Sequence, residues 1–228
     1  MAADPAPLGL AAFALTTFLL SAKNAGWTDG GAAWLGFAFA YGGLAQLLAG
    51  MWEFRNRNVF GATAFSTYGS FWIGLGLYVL LVEEGSPNAL NDLGFILLAF
   101  AIFNTYMLLW STRLNVAVFL VFLTLEITEI VLFLGFFMDA ENIIKAGGVI
   151  GVITAAVAWY TSAAGVVNGM AGRPVLKIGG PLWKDRVVPT LGPDFEPRPT
   201  PAREREARQD DGQRRRGRPA VDRASDGA

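Results

Sequence analysis

Six apolar stretches divide the first 180 residues, and their lengths leave few choices of fold. They run from about Leu8 to Ala22, Ala32 to Trp52, Gly61 to Val82, Leu93 to Trp110, Val116 to Met138 and Ile143 to Val167. A helix needs about 20 mostly apolar residues to cross roughly 30 Å of hydrocarbon, where every backbone amide must be satisfied within the protein. The segments between them are short, residues 23–31, 53–60, 83–92, 111–115 and 139–142, so consecutive helices are expected to lie antiparallel in one bundle. The expected fold class is all-α: a polytopic membrane protein of six transmembrane helices over residues 1–180. A charged C-terminal tail follows over residues 181–228.

The charges follow the same division. Residues 1–180 contain 7 Lys/Arg and 10 Asp/Glu, whereas the 48 residues that follow contain 11 and 9. The net charge of -1 conceals this asymmetry and carries no information about partners. A body this poor in basic residues gives no support for nucleic-acid binding. The tail alternates Pro, Arg, Asp and Glu, as in Pro197-Arg198-Pro199-Thr200-Pro201 and Arg214-Arg215-Arg216, and is expected to be disordered.

Six crossings put both termini on one side. Arg55, Arg57 and Arg113 in the second and fourth connections, with Arg173 and Lys177 after the sixth helix, oppose Lys23 and Lys145 on the other face. Cytoplasmic loops carry the excess of Lys and Arg, so the reading is a multi-pass protein of the cell membrane with both termini cytoplasmic. The first apolar run follows Asp4, Pro5 and Pro7 without a Lys or Arg, and reads as a retained helix instead of a cleavable signal.

The sequence contains neither Cys nor His. Thiolate nucleophiles, disulfides, His-ligated metals and Ser-His-Asp triads are therefore excluded, and no enzyme, metal site or cofactor is expected. No Lys lies in the middle of a stretch to carry a retinal-type Schiff base.

Polar side chains recur on all six stretches, among them Thr16, Thr17, Gln46, Tyr68, Asn104, Thr124, Thr128 and Thr154. A hydroxyl in a helix often bonds the carbonyl one turn back and needs no other explanation. Glu126 and Glu129 have no such escape. An ionisable group at mid-membrane costs about 2.5 to 3.5 kcal/mol on insertion scales, so each calls for a cavity, a partner or a proton. At about 100° per residue Glu129 lies about 40° from Leu125, on a face with Thr128 and Leu132, while Glu126 lies about 100° away. Both are candidate proton-sensitive groups.

Small residues are also grouped, Gly42, Gly43, Ala45 and Ala49 on the second stretch, and Gly147, Gly151, Gly165 and Gly169 on the sixth. They permit close backbone approach, either within one protomer or between protomers.

The run Asp4-Pro5-Ala6-Pro7-Leu8-Gly9-Leu10, with Phe13 and Thr16-Thr17 after it, resembles the NPAPLGL signature of the acetate uptake transporter family, the succinate-acetate permeases. Tyr41-Gly42-Gly43-Leu44-Ala45-Gln46 with Ala49-Gly50 resembles that family's second-helix block. Phe60-Gly61, Thr63-Ala64-Phe65 and Tyr68-Gly69-Ser70-Phe71-Trp72 resemble its third. The resemblance implies a hexamer of six-helix protomers that passes acetate and related monocarboxylates, and in bacterial members succinate, as an anion channel or by proton symport. It also implies an apolar constriction at Phe13, Tyr68 and Leu125. Thr16 and Thr17, one turn beyond Phe13, then become candidate hydrogen-bond donors along the path. Asp4 departs from the family's Asn; an anion there repels carboxylates unless it caps the helix. Two readings compete: a urea- or amide-type solute channel, and a non-transporting membrane interaction protein whose polar groups hold helices together.

Overall fold

A computed structural model describes residues 3–28 and 33–183. The expected disordered tail lies almost wholly outside the described residues. Among the described residues six helices are long and apolar enough to cross a membrane: α1 (Ala6–Asn24), α2 (Leu35–Arg55), α3 (Val59–Leu81), α4 (Ala89–Ser111), α5 (Val116–Phe137) and α6 (Glu141–Ala171). Each overlaps one apolar stretch with its ends shifted by up to four residues: α2 runs later than the stretch at both ends, α4 begins at Ala89 and α6 continues to Ala171.

The ends are set by local chemistry. Prolines in the first turn of α1 lack only N–H groups that would have no intrahelical acceptor, and Asp4 Oδ1 accepts from the Ala6 N–H at 2.9 Å. Asp4 is thus engaged at the helix start. Asn58 accepts from the Gly61 N–H and Asn115 from the Val118 N–H, so the α2–α3 and α4–α5 connections each end in an N-cap side chain. α1 closes in a Schellman arrangement: the Trp27 N–H reaches Ala22 O, the Gly26 N–H reaches Lys23 O, and Gly26 is left-handed at φ 73°. α2 and α5 close the same way over Arg57 and Asp139, at φ 58° and 47°.

α2 is interrupted. Residues Ala38–Ala45 wind as a π-helix, which loosens the regular carbonyl ladder. Thr16 of α1 approaches the Phe37 carbonyl at this point, 3.5 Å from its hydroxyl. No periodicity in the sequence marks this segment.

Consecutive helices pack closely against one another except at the α3–α4 step, and α6 packs against α1. The α3–α4 seam differs from the others: aromatic rings bridge it, with Phe71 and Phe100 centroids 4.5 Å apart and Tyr68 and Phe100 5.8 Å apart. The tightest backbone approaches use the small residues. A Cβ on Gly42 would run into the Thr16 side chain, and one on Gly148 into the Ala25 backbone. The Gly147 and Gly151 face of α6 abuts Leu132 and Ser21, so these glycines serve contacts within the protomer. Large side chains such as Leu48, Phe95, Ile102, Leu109 and Ile153 point outward, as lipid permits.

After α6 the chain turns at Gly172 (φ 62°) and runs back across the same end of the bundle. Asn168 Oδ1 accepts from the Val175 and Leu176 N–H groups, the Tyr160 hydroxyl donates to Lys177 O, and Thr112 O accepts from Leu182 and Trp183. The Arg113 guanidinium stacks between Trp110 and Trp183. Residues 181–183, placed with the tail on composition, therefore continue the ordered return.

Candidate functional site

Helices α1, α3 and α5 run in the same direction, and each contributes one large side chain to a shared level of the core. Phe13, Tyr68 and Leu125 are 5%, 3% and 6% exposed, and the Phe13 and Tyr68 rings meet edge to face at 5.8 Å. They separate two cavities while lining both.

The first cavity lies toward the N-terminal ends of α1, α3 and α5 and encloses about 90 Å3. Its walls are mostly apolar, Leu10, Phe60, Phe65 and Phe122 among them, with Gln46, Glu53 and Asn58 as the polar groups. Gln46 and Glu53 are each 1% exposed, and one side-chain oxygen of each has no hydrogen-bond partner.

The second cavity, about 50 Å3, lies on the other side of the three side chains. A water needs about 10 to 15 Å3 of such volume, so each cavity has room for a solute of a few heavy atoms. One helical turn beyond Phe13, Tyr68 and Leu125 come Thr17, Trp72 and Glu129, which all line this cavity. This second level is polar. The Thr17 hydroxyl, the Trp72 Nε1–H and Glu129 Oε2 are buried without partners. Two of these three groups can donate a hydrogen bond, and an indole N–H can do nothing else.

The Tyr68 hydroxyl lies 3.3 Å from Glu129 Oε1 and 3.1 Å from Asn104 Oδ1. Asn104, 0% exposed, donates through Nδ2 to Phe122 O at 2.9 Å and to Glu126 Oε2 at 2.7 Å. Glu126 Oε1 accepts from Thr105 at 2.8 Å. The two glutamates separated by the 100° argument are accordingly placed apart: Glu129 at the second cavity, Glu126 on the outer side toward exposed Thr105. The basic residues within the six helices, Lys23, Arg55 and Lys145, stand near helix ends, and Lys145 pairs with Glu141 at 2.6 Å. Among the described residues no cluster of three or more carboxylates is placed to hold a metal ion.

Over residues 1–173 the sequence matches the GPR1/FUN34/yaaH family. The chain belongs to this family. Among its similar members, acetate permease A of Emericella nidulans is 44% identical over 185 residues, covering 73% of this chain and 62% of the relative. The chain thus spans less than two thirds of that fungal protein's length. The succinate-acetate/proton symporter SatP of Escherichia coli is 37% identical over 179 residues, covering 78% of this chain and 95% of SatP. The solved structure of the bacterial acetate channel SatP superposes with a TM-score of 0.75 at 36% identity, over 78% of this chain and all of that one. Relatives of this kind and six apolar helices make the chain a membrane protein.

Within this family member, the sequence-derived residues fall into distinct places. Phe13, Tyr68 and Leu125 come together, with Thr17 and Glu129 one level away. Thr16 lines neither cavity. It is fully buried against Gly42, and its hydroxyl also donates to Ala12 O at 3.1 Å, so it belongs to the α1–α2 contact. In the signature run, Gly9 abuts the Phe65 ring, and Pro7 lies beside Gly165 and accepts at its carbonyl from Ser162 at 2.6 Å. Gly9 and Pro7 thus seat α1, while Ala6 and Leu10 of the same run line the first cavity. Trp72, Glu53 and the bridging position of Asn104 were missed. The spacing of four between Tyr68 and Trp72 was the available signal for the first; nothing in one sequence pairs Asn104 with Glu126.

Proposed function

We propose that this protein passes acetate and related small carboxylates, succinate among them, across a cell membrane through the two cavities and the constriction between them. The observation that carries this reading is the pair of levels on α1, α3 and α5: an apolar level of Phe13, Tyr68 and Leu125, then a polar level of Thr17, Trp72 and Glu129. The similarity to acetate permeases and to the acetate channel SatP supports the choice of solute.

Acetate presents a methyl group and a carboxylate. Apolar walls suit the methyl, and the unpartnered Thr17 O–H and Trp72 N–H replace part of the hydration of the carboxylate. No guanidinium or ammonium clamps the anion at these two levels, which keeps binding weak enough for release. An ionised Glu129 would repel the substrate, so Glu129 carries a proton when the anion passes. Phe13, Tyr68 and Leu125 act as the gate, closing the path by contact and dewetting.

In this reading both termini are cytoplasmic, so the first cavity opens toward the cytoplasm. The protein assembles as a homohexamer, which is favoured by the polar Glu126 and Thr105 on the outer side of the protomer, where lipid would leave a carboxylate poorly solvated. Potential-driven uptake of labelled acetate into proteoliposomes tests the function. A urea- or amide-type channel would carry neutral solutes and ignore the potential, and an interaction protein would carry nothing.

A further inference from the structure

The hydrogen-bond chain behind the gate has a direction that can be worked out by counting donors. Asn104 has two amide hydrogens and one carbonyl, and all are committed: Nδ2 to Phe122 O and Glu126 Oε2, Oδ1 to the Tyr68 hydroxyl. Turning the amide over would set its carbonyl against two acceptors, a backbone carbonyl and a carboxylate. Glu126 and Phe122 O together therefore fix which way Asn104 faces.

That orientation commits Tyr68. Its hydroxyl has one hydrogen and two acceptors in reach, Asn104 Oδ1 and Glu129 Oε1. If the hydrogen goes to Glu129, the fully buried Asn104 carbonyl is left without a donor, which makes this the costlier arrangement. If it goes to Asn104, Tyr68 offers only lone pairs to Glu129 and to the path, and the Tyr68–Glu129 contact is a hydrogen bond only when Glu129 is the donor. The titratable side chain in contact with Glu129 is Tyr68 from α3; Glu126, three residues earlier on the same helix, lies on its outer side against Thr105.

We infer that Glu126, on the outer side of α5, is a positioning residue for the gate: through Asn104 it turns the Tyr68 hydroxyl hydrogen away from the path and makes Glu129 the donor. The inference rests on the transport reading for its kinetic consequence and on the network alone for its chemistry. With the hydrogen turned away, the constriction offers the anion no donor from Tyr68 and does not hold it there. Released from Asn104, the same hydroxyl would grip a carboxylate in the narrowest part of the path.

Two substitutions of Glu126 separate positioning from mere presence. Glu126→Gln still presents an oxygen to Asn104 Nδ2, and its amide can donate to the Thr105 oxygen while the Thr105 hydrogen turns to Ala101 O. Glu126→Met removes the acceptor and keeps a side chain of similar length. In proteoliposomes the Gln variant is expected to keep the wild-type KM for acetate. The Met variant is expected to lower KM roughly 2- to 10-fold, the worth of one hydrogen bond, and to lower the maximal rate with it. In a Tyr68→Phe background, Glu126→Met should change neither.

A purely structural role would show as altered protein yield with unchanged KM, or as the same shift with and without the Tyr68 hydroxyl; either result overturns the inference. Failure of the wild type to carry acetate overturns the transport reading instead. Infrared spectroscopy then still decides the network: a protonated-carboxyl C=O band should be present in the wild type, absent in Glu129→Gln, retained in Glu126→Gln and shifted in Glu126→Met. No Glu129-dependent band, or a band unmoved by Glu126→Met, refutes it.

Discussion

Thr16 and Thr17 are adjacent, identical in chemistry and opposite in circumstance, so replacing each with the nearly isosteric Val gives contrasting results. Thr17 Oγ1 is buried in the second cavity without a partner. A methyl group there removes an unsatisfied hydroxyl, so Thr17→Val leaves stability unchanged or raises it, by up to about 1 to 3 kcal/mol. It also removes a donor from the path, which weakens acetate binding by about 0.5 to 1.5 kcal/mol, or roughly 2- to 12-fold in KM. Thr16 is fully buried, donates to Ala12 O and abuts Gly42. Thr16→Val removes this buried donor, which has Ala12 O at 3.1 Å and Phe37 O at 3.5 Å in reach, so it costs about 0.5 to 1.5 kcal/mol of stability and leaves KM at its wild-type value. The assays are thermal unfolding in detergent and acetate uptake into proteoliposomes. A rise in KM for Thr16→Val, or an unchanged KM with lost stability for Thr17→Val, refutes the assignment of one threonine to packing and the other to the path.

Replacing Phe13, Tyr68 or Leu125 singly with Ala opens the constriction, and folded variants should leak or admit larger carboxylates; an unchanged substrate profile for all three removes them from the gate. Glu129→Gln keeps a donor toward Tyr68 at nearly equal volume, so wild-type flux should rise as pH falls while the variant's pH dependence, corrected for substrate ionisation, flattens. A wild-type pH curve in the Gln variant ends the proton-sensitive role. Native mass spectrometry in mild detergent should show a hexamer, and monomer alone across several detergents contradicts the assembly.

The six helices were legible because lipid imposes a length and a composition that the sequence must display, and the Leu125–Glu129 face was legible because a regular helix turns about 100° per residue. The same rule could not separate Thr16 from Thr17, since residues three and four beyond Phe13 lie on one face; the approach of α2 at Gly42 made the choice. The π-helical segment Ala38–Ala45 left no trace except the Gly42-Gly43 pair that allows its contacts. Trp72 stood in the third-helix block with no role of its own, because an indole in an apolar run has a use with or without its N–H. Asn104 shows the deeper limit. Its bonds join α3, α4 and α5, and contacts across helices are fixed by tertiary packing.

The central claim is that the two levels on α1, α3 and α5 form a route for small carboxylates. Uptake of labelled acetate by proteoliposomes containing the purified chain, with an imposed potential and with propionate or urea as competitor, tests it most directly. Saturable uptake is expected that follows the potential, falls with propionate, ignores urea and loses affinity in Thr17→Val. Folded, reconstituted protein that takes up no acetate, or takes it up independently of potential and of Thr17, contradicts it.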